Sequence, residues 1–419
     1  MTSTDTGTDT SVGWRAGCPV LDFDHRSPRI SHHRHDVLAE VRRHQIFYTE
    51  AHGGYWVVAG HELAKQVLHD REHLFSTART ADGGGGITIP PQPVVLIPAE
   101  IDPPEHTAIR KVINPLLGKG ATDRLRPMMH AAAAEVLDAA VAAGEFDAVH
   151  DVGHVFPTLV ILRYLGVPES EGKLLVDVIQ QGFGTARAAD PGQAEAAAAK
   201  ALADFQHVHA TLLALFERRR TDPADDVVSA LVNQDDMRFD EQRLFWTVFT
   251  LIAAGIENVA ATIANVMLHL QENPDLKRRL IDHPELISNA VEEYLRYFTP
   301  GPSTVRHVQR DTVLGEVPLT AGDRVLVWLP GTNFDPAVFD DPDTLDVRRH
   351  NARRQLAFGE GVHFCAGHYL GKVELEIFLA ELFARMPDYR IDRERAERFS
   401  NAATMYGWWT MPATTGSAG

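Results

Sequence analysis

The sequence predicts a mainly α fold with a small β portion, gathered into one large domain. Three observations lead there. From about residue 104 to 295 the chain reads as a series of helices, alanine-rich at 130–143 and 194–220 and broken at Gly144, Pro168, 182–184 and 190–192. Short valine-rich runs flank that region, GYWVVA at 54–59 and an alternating stretch at 304–329. No linker composition separates the helical and β parts. The 419 residues therefore read as a single body at 20–413 between polar, disordered tails at 1–19 and 414–419.

Composition narrows the class. With 44% hydrophobic and 23% charged residues the chain is an ordinary soluble globular protein. Its net charge of −17 argues against a general nucleic-acid binder. Two cysteines, Cys18 and Cys365, exclude a disulfide framework and a cysteine-rich zinc site by count, and fit a reducing compartment, the cytoplasm. The opening MTSTDTGTDTSVG lacks the apolar core of a secretory signal. The most apolar region, 245–270, is interrupted by Thr247, Thr250, Glu257, Asn258, Thr262, Asn265 and His269. A membrane span needs about 20 mostly apolar residues, so a buried helix is expected instead.

The elements follow in order. A strand at 54–59 leads to a helix over 61–69. The loop 81–98 carries GGGG at 83–86 and prolines at 90, 91, 93 and 98, which precludes regular structure; it is either a functional loop or a surface insertion. In DPPEHTAIRKV (102–112) Asp102 and the prolines start a helix from which His106 and Arg110, four apart, project together. A central helix over 251–266 holds Gly255, at a cost of about 1 kcal/mol relative to Ala. Glu257 and Asn258 follow inside the apolar run, and a kink with a satisfied polar pair is the plain reading. In ELISNAVEEYLRY (285–297) Glu293 and Arg296 share a helix face, with Glu292 as a competitor. Irregular chain at 333–346 precedes FGEGVHFCAG (358–367) and a last helix over about 366–385. Gly359 and Gly361 permit tight turns, and Cys365 stands at a helix start whose free N–H groups favour a thiolate. That sulfur is a nucleophile, a metal ligand or a buried structural thiol.

FGEGVHFCAG resembles the haem-binding signature of the cytochrome P-450 monooxygenases, Phe-Gly-x-Gly-x-His-x-Cys-x-Gly, with Phe358, Gly359, Gly361, His363, Cys365 and Gly367 in place. The likeness extends from about residue 20 to 412. It implies the cytochrome P-450 fold, a long central helix over haem b (iron protoporphyrin IX), and Cys365 as the axial thiolate of the iron. Phe358 would pack near the sulfur, and Gly367 would let a flat ligand approach the chain. His106, Arg110, Arg306 and His363 would face the propionates. Gln355 stands where many bacterial relatives carry His and would keep a hydrogen-bond donor there. Glu293 and Arg296, completed by Arg349, resemble the structural pair that fixes the cysteine loop. Ala254, Gly255 and Glu257 match the oxygen-binding groove Ala-Gly-x-Glu/Asp-Thr, with Asn258 in place of threonine. Asn donates and accepts hydrogen bonds but does not relay a proton as a hydroxyl does. Asn258 is therefore expected to steady a water or the bound oxygen, and Glu257 to connect to solvent.

The same Asn marks a bacterial subset that includes the monoterpene (cineole) hydroxylase type, which the stretches 53–62 and 283–296 also resemble. The resemblance implies insertion of one atom of dioxygen into a small apolar substrate, a terpenoid or small aromatic. The family's layout places the 81–98 loop (Ile87, Ile89, Val94), the 182–184 turn, Thr250, Ala254 and Asn258 of the central helix, Pro300–Val305, and the Met405–Tyr406 turn around the substrate. No flavin fingerprint is present, so electrons are expected from a separate ferredoxin or flavodoxin chain. Arg348, Arg349, Arg353, Arg354 and Lys372 against Glu360 give residues 348–372 a net +4, which reads as its docking ground or as solvated charge. A monomer without nucleic-acid or membrane partners is expected. A non-catalytic haem sensor or carrier, or peroxide-driven oxidation, are the other readings of the same scaffold.

Overall fold

The computed structural model describes residues 11–183, 193–234 and 240–416. The expected break at 190–192, Gly184 and the outermost tail residues 1–10 and 417–419 lie outside them. The two valine-rich runs, anticipated as separate β regions, form one sheet. Tyr55–Val58 pairs parallel with Arg324–Trp328, Val325 facing Trp56 and Val327 facing Val58. The full order, edge to edge, is Ser11–Arg15, Cys18–Leu21, Ile46–Thr49, Tyr55–Val58, Arg324–Trp328, Ser303–Val308 and Phe75–Ser76. Tyr55–Val58 is buried along its whole length, as its unbroken apolar sequence requires of a strand covered on both faces.

The tail expected at 1–19 is corrected by this sheet. Ser11–Arg15 pairs antiparallel with Cys18–Leu21 across a Gly17 turn of positive φ. Strand pairing is a backbone interaction, so a polar segment joins an edge without any apolar pattern to announce it. At the other end Pro412–Thr414 lies between Arg390–Ile391 and Glu145–Asp147, so the chain is paired up to Thr414.

The helices build the body. Glu241–Glu272 runs through its centre, about 48 Å long at 1.5 Å per residue. Asp240 caps it by accepting the Arg243 N–H at 2.8 Å. It is long and apolar enough to cross a membrane, but 78% of its most apolar window is buried inside the protein, so that hydrophobicity serves the core. His368–Arg385 packs along Lys119–Ala143, and Val155–Leu165 crosses the central helix. At that crossing a Cβ on Gly255 would sit 2.9 Å from Ile161 Cγ1. The helix interior accepts a glycine there because the neighbouring helix needs the space.

The 81–98 loop has no helix or strand, yet it is tied down. Arg79 donates to Gln92 O at 2.8 Å and Val94 O at 2.9 Å. It pairs with Glu100, only 3% exposed, which accepts from Ile87 N and Leu96 N. Of the two readings, functional loop or surface insertion, the ion pair with its satisfied carboxylate oxygens favours an ordered loop.

Candidate active site

The cysteine loop is a tight turn held by backbone bonds. Gly359 and Gly361 both adopt φ 71°. A Cβ at Gly361 would lie 2.2 Å from Leu68 O, so glycine lets the loop touch the end of helix His61–His69. Cys365 N donates to Phe358 O at 2.9 Å, and Arg110 Nη2 donates to Phe364 O at 2.7 Å. The Phe358 ring lies 6.4 Å from Phe364 and 6.2 Å from His368. Above Gly367 no atom comes within 4 Å of where a Cβ would stand. Burial pushes the Cys365 thiol up, and the Gly367 N–H and the Arg110 guanidinium pull it down only in part. The thiolate expected from the helix start is thus not supplied by the protein alone, because desolvation outweighs the helix end. A bound metal cation deprotonates a coordinating thiol outright and supplies what is missing.

Behind this loop sits a buried ion network. Arg296 grips Glu293 with two bonds of 2.7 Å, and both side chains are fully inaccessible. Arg349 Nε donates to Glu293 Oε1 at 3.0 Å and Asp346 N donates to it at 2.9 Å. The remaining guanidinium donors reach the carbonyls of Asn333, Asp340, Asp341, Pro342 and Thr344. The three charges therefore staple the irregular 333–349 chain to helix Ile287–Phe298. Glu292 does not compete; it accepts from Lys372 at 3.0 Å and from Gln355 at 3.2 Å.

Between the cysteine loop and the central helix lies a cavity. Thr250, Ala254, Gly255 and Asn258 line it from the central helix, and Phe358, His363, Cys365 and Gly367 from the loop. Among the described residues the Asn258 amide meets no protein partner; its hydrogen bond is on the backbone carbonyl, from Thr262 Oγ1. Glu257 does not line the cavity and is only 2% exposed. It faces His154, Nε2 to Oε1 3.5 Å. Its expected link to solvent is thus not direct, because the helix turns this position into the protein.

Of the substrate residues expected from the family's layout, Thr250 lines this cavity and Ile87, Ile89, Val94, Val305, Met405 and Tyr406 do not. Ile89 lines a second cavity with Gly182, Phe183 and Ala403. Val94 packs on Gly182, and Val305 N donates to Ile87 O within the sheet region. Met405 clusters with Ala261 and Phe399, and the Arg34 guanidinium stacks 3.8 Å over Tyr406. Pro98 of the 81–98 loop and Pro300 line the first cavity as well, and the walls missed by the sequence reading include Ile113, Ile161, Leu295 and Glu374. Glu374 could have been found. It stands among Leu370, Val373 and Ile377, the apolar face of the last helix, and burial pushes its carboxyl well up.

A set of basic side chains gathers around Arg110 and His363, which line the cavity. His106 is 2% exposed and neither ring nitrogen has a hydrogen-bond partner. Its ring lies 4.1 Å from that of His363, whose Nδ1 is likewise unpartnered. Burial lowers His106 to about 4, helped by Arg110 and Arg306, and lowers His363 to about 2 with Arg306, His106 and Arg110 adding to it. Arg306, 4% exposed, donates only to Thr304 Oγ1 and Val305 O, and burial brings it down to about 10. Buried donors that repel one another and lack partners are costly unless an anion completes them. The two carboxylates of a haem fit that requirement, and Cys365 on the same cavity fits its iron. Gln355 has no such part. Its amide is committed to Glu292 and to Ala357 N at 2.6 Å, away from the cavity. The expected +4 docking region is also reduced, because Arg349 lies in the buried network and Lys372 pairs with Glu292. Arg348, Arg353 and Arg354 remain exposed.

Comparison with known proteins gives one answer. The family profile described as Cytochrome P-450 matches residues 191–386. Mycinamicin IV hydroxylase/epoxidase of Micromonospora griseorubida is 32% identical over 363 residues, 85% of this chain and 88% of that protein. The 6-deoxyerythronolide B hydroxylase of Saccharopolyspora erythraea is 33% identical over 352 residues, 79% and 83% of the two chains. Among solved structures, the versatile cytochrome P-450 enzyme CYP109B1 from Bacillus subtilis superposes with a TM-score of 0.78 at 28% identity, covering 92% of this chain and all of that one (100%).

Proposed function

The chain belongs to the cytochrome P-450 family, and from that premise we propose that it inserts one atom of dioxygen into a small apolar substrate, a terpenoid or small aromatic. Membership makes it a haem b monooxygenase. Bound haem supplies the activation of dioxygen, with electron density from the Cys365 thiolate favouring O–O cleavage. The observation that carries the reading is one cavity shared by the Cys365 sulfur and the Ala254, Gly255 and Asn258 stretch of the central helix.

The residues divide the work. Cys365 would ligate the iron, while His106, Arg110, Arg306 and His363 would hold the propionates. Ile113, Ile161, Leu251 and Leu295 make the walls apolar and exclude water, which favours a compact apolar substrate over a polar one. The names of the relatives point to larger macrolides as a second reading. Electrons come from a separate ferredoxin or flavodoxin, for which the exposed Arg348, Arg353 and Arg354 offer a cationic rim in an acidic protein. The free thiols Cys18 and Cys365 support a cytoplasmic setting.

The test is a screen of terpenoids, small aromatics, a macrolactone and a steroid for displacement of iron-bound water, read as a haem spin-state shift. Hits are then turned over with dioxygen and a ferredoxin or flavodoxin chain. A terpenoid or small aromatic that shifts the spectrum and yields an oxygenated product is expected. A response confined to the macrolactone or steroid overturns the substrate class. Shifts without product under dioxygen favour a carrier, and product with peroxide alone favours peroxide-driven oxidation.

Asn258 gives a sharper prediction. Its free amide steadies a water or oxygen in the cavity, so Asn258→Ala lowers product formed per reductant consumed by about tenfold, short of the ~10²-fold or more of a proton-transfer group, because the amide only positions. Asn258→Thr restores or exceeds the original ratio. Unchanged ratios in both variants dispose of the role.

A further inference from the structure

Between Leu244 and Leu270 the central helix carries one acid, Glu257, and the structure gives it one ionisable neighbour within ion-pair distance. His154 caps helix Val155–Leu165 and is 6% exposed. Its Nδ1 lies 3.1 Å from Val149 O. A carbonyl only accepts, so Nδ1 carries a hydrogen and Nε2 is the atom whose protonation changes. Nε2 faces Glu257 Oε1 at 3.5 Å and the Gln180 side-chain nitrogen at 3.2 Å. Two arrangements are therefore built in. A protonated Nε2 donates to Glu257, and a neutral one accepts from Gln180.

We propose that His154 is the positioning residue for Glu257, holding that carboxylate behind the central helix and keeping a proton on Nε2 for passage to Oε1 beside the Asn258 stretch. The inference rests on the monooxygenase reading and names the proton source of that same site. Transfer from Nε2 to Oε1 converts an imidazolium and a carboxylate into a neutral imidazole and a carboxylic acid. The Gln180 N–H then satisfies the Nε2 lone pair until water returns a proton to it. The need for such a store follows from Asn258, whose amide cannot pass a proton on.

The electrostatics agree. Burial alone would lower His154, but the Glu257 hydrogen bond and charge outweigh it and leave the group above its ordinary value, with Val149 O and Asp147 adding to the rise. The groups facing it are Glu257 on the central helix, Gln180 on helix Gly172–Phe183, and Asp147 and the exposed His150 ring, stacked at 6.1 Å, on the preceding turn. For a raised histidine the ion pair is complete below the unfolded value of 6.5 and is lost as pH rises through the folded one.

The experiment uses the reduced, carbon-monoxide-bound holoprotein with ¹⁵N-labelled histidine, the His154 signal being assigned by its loss in His154→Gln. In the parent protein His154 titrates above its ordinary value, and in Glu257→Gln it falls, because the Glu257 charge that outweighs burial is gone and only the smaller contributions of Val149 O and Asp147 oppose it. In turnover, product per reductant consumed falls as pH rises through the same midpoint. In His154→Gln the ratio is about tenfold lower, less than the ~10²-fold or more of a group that meets the substrate directly, and flat across that window. A His154 midpoint unmoved by Glu257→Gln, or a parental pH profile in His154→Gln, overturns the proposal. Absence of product from the parent protein itself refutes the monooxygenase reading instead, and the titration still decides the pair.

Discussion

Cys365→Ser is expected to abolish the red-shifted carbon monoxide band of the reduced haem protein and to lower product formation by more than about 100-fold, the top of the range for losing a mere outer-shell partner of a metal. The thiol is the sulfur on the cavity, and the hydroxyl that replaces it is a harder donor that stays protonated. The loop does not depend on the sulfur for its shape. Cys365 N to Phe358 O, Arg110 to Phe364 O and the Gly361 contact with Leu68 involve backbone atoms on the loop side and survive the change. Loss of the band with retained folding, measured by circular dichroism, therefore isolates the ligand. A serine variant with the parental spectrum would remove the basis for every haem-centred statement above.

Glu293→Gln is expected to destabilise the protein by about 3–5 kcal/mol, the cost of removing one partner from a buried ion pair and leaving the other charge uncompensated. The case is severe because one carboxylate serves both Arg296 and Arg349 and also accepts Asp346 N. An amide keeps the volume but offers one oxygen, and its NH₂ group faces guanidinium donors. Denaturant midpoints of the holoprotein measure the effect. Because the network ties down the chain leading to the cysteine loop, haem retention falls with it. Glu292→Gln is the control. Glu292 meets Lys372 and Gln355, and Lys372 reaches partial solvent, so its loss is smaller. Equal midpoints for the two variants would show that Glu293 holds nothing special.

Local spacing made much of this readable in advance. Glu293 and Arg296 are three residues apart on one helix, His61–His69 has its expected bounds, and the glycines of the cysteine loop stand where a positive φ is needed. What could not be read depends on distant partners. Tyr55–Val58 and Arg324–Trp328 meet across most of the chain, and neither sequence names the other. His154 reads as an ordinary histidine in DVGHVF until the fold sets it against Glu257. Gln355 stands where many bacterial relatives carry His, but its direction is decided by Glu292 on another helix. At Cys365 the helix start favours a thiolate and is visible in the sequence, whereas the desolvation that opposes it comes only with the packed interior.

The parallel pairing of Tyr55–Val58 with Arg324–Trp328 also dictates a timetable during synthesis. The ribosome must deliver more than three-quarters of the polypeptide before the middle of that sheet can close, since non-local pairing waits for its second strand. Until then the nascent chain carries an open, valine-rich border that invites pairing with a neighbour. The helical bulk is complete by that time, and the segment bearing Cys365 emerges later still. Cofactor capture is thus a closing event of biogenesis, open only once nearly the whole chain has been made.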